Sequence, residues 1–369
     1  MNKVISDPVT KFFISAIGLV VVVLVLKELQ FIFIPLAIAY FLYFVFEPIN
    51  RLLMNRKIPQ VLTVIIDLVI LILFLWGIYH VFVSSFEQMG AAFPQYIEKI
   101  NQLVRTAAVY FNITDPSVTQ FDFHSWLSKL DYSVLASGVL SSTVTIFSTT
   151  FLVLFFFIFI SSGHSKILAT IKDRYVERNI VLSLEEENGG ADTEEEITRI
   201  KAGRTNKIEM TFKYITEQVQ KYIATKFLIN LSSGILFTII LMLFGVEYAL
   251  VWGALSFMFN FIPNIGSIFS VVLPSLMSLI QYGSFGYTAV ILIVLIVVQN
   301  LIGNIIEPKI FGDRLGINPI VILISLLLWG YTWGVVGMFM SVPLTAIIKI
   351  TISNSSSKNL QFICRLMSN

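Results

Sequence analysis

The sequence has little charge and almost no cysteine. Only 13% of its residues are Asp, Glu, Lys or Arg, against roughly 25% in soluble domains, whereas 56% are hydrophobic. The one cysteine, Cys364, excludes an intramolecular disulfide and a multi-cysteine metal site. His80, His124 and His164 lie too far apart in the sequence to indicate a metal site. We therefore expect an integral membrane protein without a cofactor, whose immediate surroundings are lipid.

Common nucleotide-binding and catalytic motifs are also absent. The sequence contains no G-x-x-x-x-G-K-[ST], so ATP is not expected to power its activity directly. It contains neither H-E-x-x-H nor G-x-S-x-G, which disfavours an intramembrane enzyme. The formal net charge of +2 says little about partners, and nucleic acid is not among those expected.

Long apolar runs dominate what is present. A helix of about 20 residues crosses a hydrocarbon core of about 30 Å, and the runs show none of the alternation typical of barrel strands. The first run has no small-residue cleavage site after it, so it is interpreted as a retained helix and not as a signal peptide. The sequence thus predicts an all-α polytopic fold with spans at about 12–26, 29–46, 61–83, 142–160, 226–244 and 287–303.

Two further apolar stretches do not fit single spans. Residues 247–281 and 319–350 would each be roughly 50 Å long as straight helices. Breakers lie at their midpoints, at Pro263–Gly266 and at Gly330–Gly334, and leave halves of about fifteen residues. We predict two re-entrant helical hairpins; the alternative is a long, kinked and tilted helix. These stretches are called the first and second broken segments below.

The distribution of Lys and Arg predicts the orientation. Cations are frequent in 161–226 and present in 47–60, which indicates that both loops are cytoplasmic. Both termini are then inside, and each broken segment follows a span in opposite orientations, as in an inverted repeat. The predicted units are a scaffold (1–83), an outer segment of amphipathic helices (84–141), a span (142–160), a cytoplasmic loop and helix (161–225) with an acidic part at 184–196, a transport region (226–350) and a cytoplasmic tail (351–369).

Polar residues cluster at the breaks and on the neighbouring span. Each of them alone is more often a contact between helices than a ligand, but their clustering predicts a solute site. The predicted substrate-binding residues are Asn260, Pro263, Asn264, Gly266, Ser267, Gln299, Asn300, Asn304, Gly330, Thr332, Gly334 and Ser341. Asp67 and Glu307 are candidates for binding a proton or coupling ion, although Asp67 could simply face a neighbouring helix and Glu307 could be paired or solvated.

The stretch FNFIPNIGSIFSVVLPSL, followed by QNLIGNIIEPKIFGDRLGINPIVILISLLLWGYTWGVVGMFMSVPLTAIIK, resembles the C-terminal signature of the autoinducer-2 exporter-like permease family. The resemblance is strongest over about 213–350. It implies a transporter of the bacterial inner membrane with two helical hairpins and a homo-oligomeric, pentameric assembly. Members are linked to export of autoinducer-2, and some relatives to Na+/H+ exchange. The loop at about 180–208 is longer and more acidic than is usual in the family.

Three functions remain after these steps. The leading hypothesis is a secondary transporter that exports a small polar metabolite, because Asn, Ser, Thr and backbone groups suit hydroxyls better than strong charges. A Na+(Li+)/H+ antiporter would need a buried carboxylate, for which Asp67 and Glu307 are the candidates. A passive channel is the third.

Overall fold

The computed structural model describes residues 8–115, 148–163, 194–311, 317–353 and 358–368, together with Val118, Asp122, Phe123 and Ser125. Within these residues the chain is helical and contains no strand apart from one isolated bridge between Ile317 and Ser368. The helices are α1 Pro8–Glu28, α2 Gln30–Asn55, α3 Gln60–Tyr110, α4 Ser148–Gly163, α5 Glu194–Leu243, α6 Ala249–Phe259, α7 Ile265–Tyr282, α8 Phe285–Asn300, a π-helical segment Leu301–Ile306, α9 Glu307–Phe311, α10 Pro319–Ser353 and α11 Lys358–Leu366. The all-helical prediction is confirmed for this part of the chain.

Six described helical stretches are long and apolar enough to cross a membrane: Gln30–Asn55, Gln60–Tyr110, Lys213–Leu243, Ile265–Tyr282, Phe285–Phe311 and Pro319–Ser353. Helix α1 covers the predicted span at 12–26. Helix α4 covers most of the predicted span at 142–160, whose first six residues lie outside the described ones, as does most of the acidic part at 184–196. A multi-pass membrane protein is the architecture that these helices indicate.

Helix α3 differs from the sequence-based expectation. A span ending near 83 and separate outer helices were predicted, but α3 runs on for 51 residues, roughly 75 Å. Its internal Pro94 does not end it. Tyr96, two residues after the proline, is buried in an apolar cluster with Phe237, and Ala92, two residues before it, packs against the same cluster. This packing on both sides of Pro94 offsets the one lost hydrogen bond.

The first broken segment folds back on itself. Its two ends meet where the backbone N–H of Glu247 donates to Gln281 Oε1 at 2.8 Å, and Tyr282 Oη donates to the carbonyl of Gly245 at 2.7 Å. Helices α6 and α7 therefore lie side by side and antiparallel. With 18 residues, α7 is longer than the half-helix expected from the sequence.

The second broken segment turns within α10. Trp333 and Gly334 have non-helical backbone angles, with φ of 61° at Gly334. The Ser325 hydroxyl donates to the carbonyl of Ser341 at 3.1 Å, which a straight helix would hold more than 20 Å apart by the rise of about 1.5 Å per residue. The turn is anchored elsewhere in the fold, because Trp333 Nε1 donates to the carbonyl of Leu26 in α1 at 2.9 Å.

Three apolar clusters hold these helices together. One joins α3, α5, the first broken segment and α8 around Phe237, Leu241 and Ile291. A second joins α2, α3 and α4 around Phe157. A third joins α5 to the returning half of α10, at Ala346. The first cluster packs α6 and α7 against α5 and α8.

Candidate functional site

The break between α6 and α7 is a strained turn. The backbone N–H of Ile265 donates to the carbonyl of Pro263, two residues earlier, at 2.6 Å. Asn264 lies at the centre of this γ-turn with φ 60° and ψ −52°. That turn is rare, and strained backbone of this kind costs about 1–3 kcal/mol unless the surroundings impose it. The strain lies within the predicted solute site.

A glycine on the returning helix makes each turn possible. A Cβ atom at Gly266 would lie 2.5 Å from the carbonyl carbon of Phe259 and closer still to its oxygen. A Cβ atom at Gly337 would meet Trp329 in the same way, at 2.6 Å from the carbonyl carbon. In both broken segments, therefore, a glycine of the returning helix packs directly on the backbone of an aromatic residue near the end of the first helix.

Asn260, at the C-terminal end of α6, connects three elements. Its Nδ2 donates to Ser233 Oγ of α5 at 2.9 Å, and its Oδ1 accepts from Gln299 Nε2 of α8 at 2.8 Å. Asn230 lies one turn before Ser233 on α5 and is 1% exposed. We call Asn230, Ser233, Asn260 and Gln299 the central polar cluster. It links the broken segment to both neighbouring spans.

Two atoms of the central polar cluster have unused hydrogen-bonding capacity. Asn230 Nδ2, a donor, and Gln299 Oε1, an acceptor, are buried and have no hydrogen-bond partner among the described residues. A buried polar group without a partner costs about 1–3 kcal/mol, and such groups in a native structure call for an explanation. A hydroxyl group can both accept and donate a hydrogen bond. Hydroxyls can therefore accept from a donor such as Asn230 Nδ2 and donate to an acceptor such as Gln299 Oε1.

The other sequence-predicted residues lie in different places. Pro263, Asn264 and Ser267 are at the break itself; Asn300 donates to the carbonyl of Ile296 and accepts from Asn304, on an exposed part of α8 and the π-helical segment. Thr332 and Ser341 donate to carbonyls of their own helix, at Leu328 and Met338, and Gly330 contacts Met338. In the described part of the chain, no hydrogen bond joins Gly330, Thr332, Gly334 or Ser341 to the central polar cluster.

Asp67 is fully buried between α2 and α3. Its Oδ2 accepts from Asn50 Nδ2 at 2.7 Å. The remaining side-chain oxygens, Asp67 Oδ1 and Asn50 Oδ1, are buried and without a partner among the residues that the structure covers. A buried ionisable side chain within a membrane helix is a functional candidate by default.

Glu307 is paired. Its Oε1 accepts from Lys226 Nζ at 2.5 Å, an ion pair between α9 and the start of the apolar part of α5. The pair directly follows the six π-helical residues Leu301–Ile306, and π-helical turns are frequent at functional sites. Because its charge is balanced by Lys226, Glu307 is less suited than Asp67 to carry a proton alone.

A polar cavity lies at the meeting ends of the first broken segment. It has a volume of about 610 Å³ and lies between α3 and the start of α6, with Ser84, Gln88 and Lys99 in its wall. Tyr96 Oη donates to Glu247 Oε2 on the same wall and is within 3.1 Å of Tyr248 Oη. This is a polar opening beside the segment that carries Asn260.

Four residues of these contacts were not predicted from the sequence: Asn50, Asn230, Ser233 and Lys226. The first three are neutral polar residues within or next to apolar runs, a signal that is weak because such residues commonly join helices. Asn230 and Ser233 stand in the run FLINLSSGIL, and their spacing of three places them on one helix face. That spacing could have identified them.

Comparison with known proteins gives one family. The chain matches the model described as AI-2E family transporter over residues 12–179 and 189–357. Two relatives are named "Putative transport protein": that of Haemophilus influenzae is 26% identical over 365 residues, 95% of each chain, and that of Borreliella burgdorferi is 46% identical over 143 residues, 38% of this chain and 40% of the relative. AI-2 transport protein TqsA of Escherichia coli K12 is 24% identical over 341 residues, 92% of this chain and 91% of the relative.

Proposed function

The chain belongs to the AI-2E transporter family, and from this premise we propose that it is a secondary transporter that exports a small polar solute. The central polar cluster carries the proposal. It supplies a buried donor, Asn230 Nδ2, and a buried acceptor, Gln299 Oε1, without partners among the described residues. Its four residues carry no formal charge, which favours a hydroxylated solute over an ion.

Autoinducer-2 is the first solute to test. One relative, matched over 91% of its length, is named an AI-2 transport protein. Autoinducer-2 carries several hydroxyl groups, which suit the donor and acceptor of the cluster. The other two relatives are named for transport without a substrate. Candidate solutes therefore include autoinducer-2 and other small hydroxylated metabolites.

The proposed mechanism moves the two broken segments and the helices that precede them, α5 and α8, together against α1–α3. Both segments fold back, and both use a close-packed glycine and an inter-arm serine bond, Ser256 to Ser270 and Ser325 to Ser341. We propose that they are re-entrant hairpins in an inverted repeat, with their turns inside the protein and their ends at opposite membrane faces. Rocking of these elements would expose the central polar cluster to each side in turn.

The location, the orientation and the oligomeric state of the protein are also proposed. We place it in the bacterial inner membrane, with both termini cytoplasmic by the positive-inside rule, as a homo-oligomer that is pentameric by family resemblance. Helices α1–α3 carry many exposed large apolar side chains, which suits contact with lipid and with other copies.

Solute counterflow in proteoliposomes tests the function. If the protein is a carrier, proteoliposomes preloaded with unlabelled solute should take up labelled solute faster, because the carrier exchanges one solute molecule for another. A passive channel should show no such acceleration. A Na+(Li+)/H+ antiporter would instead dissipate a pH gradient on addition of Na+ or Li+ without any organic solute. Absence of counterflow for every hydroxylated solute, with such cation exchange present, would refute the proposal.

Variants test the site. Gln299→Leu should lower solute affinity roughly tenfold, the equivalent of about 1.4 kcal/mol for one lost buried hydrogen bond. Gln102→Leu, which removes an exposed amide of α3, is the matched control. If Gln299 merely joins helices, the variant should unfold at lower temperature and transport normally per folded molecule. That outcome would remove it from the site.

A further inference from the structure

The Asn50–Asp67 pair is a buried contact in which two of the four polar side-chain atoms form no hydrogen bond with the described residues. Asn50 is 5% exposed and Asp67 is 0% exposed. One hydrogen bond of 2.7 Å joins Asn50 Nδ2 to Asp67 Oδ2, while Asn50 Oδ1 and Asp67 Oδ1 are acceptors without a donor among the described residues. Buried acceptors in this state call for an unseen donor.

The charge of Asp67 is likewise unbalanced. No salt bridge reaches it in the part of the chain that the structure describes. Arg51, the cation nearest in sequence on α2, is engaged with Glu47 at 3.0 Å and with Gln220 at 2.7 Å. An isolated buried carboxylate is strongly disfavoured unless it is neutralised or coordinated.

Charged and titratable groups near the Asn50–Asp67 pair are found on the helices packed around it. On α2 the titratable or charged neighbours are Tyr43, Glu47 and Arg51, and the described part of α4, which packs on α2 and α3, contains no charged residue. On α5, Glu217 and Lys221 line a cavity with Arg51. The charged groups thus lie around Arg51, beside the pair.

We propose that Asn50 and Asp67 form a proton-binding pair. A proton on Asp67 Oδ1 turns that oxygen from an acceptor into a donor, and Asn50 Oδ1 is the unused acceptor of the same contact. Asn50 then donates to Asp67 while Asp67 donates to Asn50, in a ring of two hydrogen bonds. One proton neutralises the charge and provides partners for both oxygens. A hard metal cation would instead require about six or more oxygen ligands.

The pair lies beside a contact between α2 and the moving part, because Arg51, next to Asn50, donates to Gln220 of α5. Residue 67 is about 10 Å along α3 from its first residue, Gln60, so the pair is within a few turns of one end of the membrane helices. With the proton bound, the ring joins α2 to α3; without it, the buried charge favours entry of water or separation of the helices. This inference deepens the proposed transport function, on which it rests for its role, by naming the proton as coupling ion.

Infrared spectroscopy of the purified full-length protein tests proton binding separately from transport. We expect the absorption of a protonated, hydrogen-bonded carboxylic acid, which disappears reversibly on alkaline titration and is absent from Asp67→Asn. The amide in that variant can also form a reciprocal pair, so its fold should survive. Glu47→Gln is the matched control, because it removes the neighbouring carboxylate of α2 and should leave the absorption in place.

Three results would overturn the proposal. The first is spectra of wild type and Asp67→Asn that agree in this region at every pH. The second is loss of the absorption in Glu47→Gln, which would place the proton on Glu47. The third is its removal by Na+ at constant pH, which would make the pair a metal-cation site. If the absorption is found but a pH gradient does not drive accumulation of solute in proteoliposomes, the pair binds a proton and the coupling role is refuted.

Discussion

Substitution of Gly266 by alanine tests whether the turn of the first broken segment controls the central polar cluster. The added methyl carbon would lie 2.5 Å from the carbonyl carbon of Phe259 and 3.2 Å from the backbone nitrogen of Asn260. Ordinary contacts between carbon atoms are about 3.5–4.0 Å, so the end of α6 must move by roughly 1 Å or more. Only backbone atoms are involved, and no side chain can yield by rotating.

The expected loss of stability follows from two contributions. Overpacking of this kind costs about 1–3 kcal/mol. Because Asn260 directly follows Phe259, the shift should also weaken its bonds to Ser233 and Gln299, at about 1 kcal/mol each. We expect a total of about 3–5 kcal/mol, a large part of the roughly 5–15 kcal/mol by which folded domains are stable.

Thermal unfolding of the purified protein, followed by tryptophan fluorescence, measures the effect. Gly286→Ala is the control, because nothing lies within 4 Å of a Cβ atom at that position of α8. In a helix this change should stabilise by about 0.4–1 kcal/mol. Control of the cluster by this turn is refuted if Gly266→Ala unfolds at the wild-type temperature and retains solute counterflow.

Three further predictions concern other parts of the chain. Lys226→Met should destabilise the protein by less than the about 3–5 kcal/mol of fully buried pairs, because the Glu307 side chain is 30% exposed, and adding Glu307→Gln should restore part of the loss in thermal unfolding. Asn264→Gly should raise stability by about 1 kcal/mol by relieving the positive φ; a lower unfolding temperature would contradict the strained turn. With Cys364→Ser as background, Gly190→Cys should react with a membrane-impermeant thiol reagent only from the cytoplasmic side, and labelling from outside alone would reverse the orientation.

The sequence predicted where the helices of the site begin and end better than it predicted the hydrogen bonds between them. The apolar runs and the breakers at Pro263–Gly266 predicted helices that end and restart, and α6 and α7 do so around Asn264. The bond between Asn260 and Gln299 joins two residues that were predicted to share the site. By contrast, Thr332 and Ser341 bond within their own helix, because a hydroxyl in a helix can donate to a backbone carbonyl oxygen one turn earlier.

What the sequence determined by itself is what depends on local chemistry: the apolar runs require helices in a membrane, and glycine, proline and asparagine permit a break. What only the tertiary structure decided is which polar atoms are paired. Asn50 and Asp67 are 17 residues apart, and Asn260 and Gln299 are 39 apart. The packing of separate helices sets these distances, and no local pattern specifies it. Only this packing leaves atoms of Asp67, Asn230 and Gln299 buried and without a hydrogen-bond partner among the described residues.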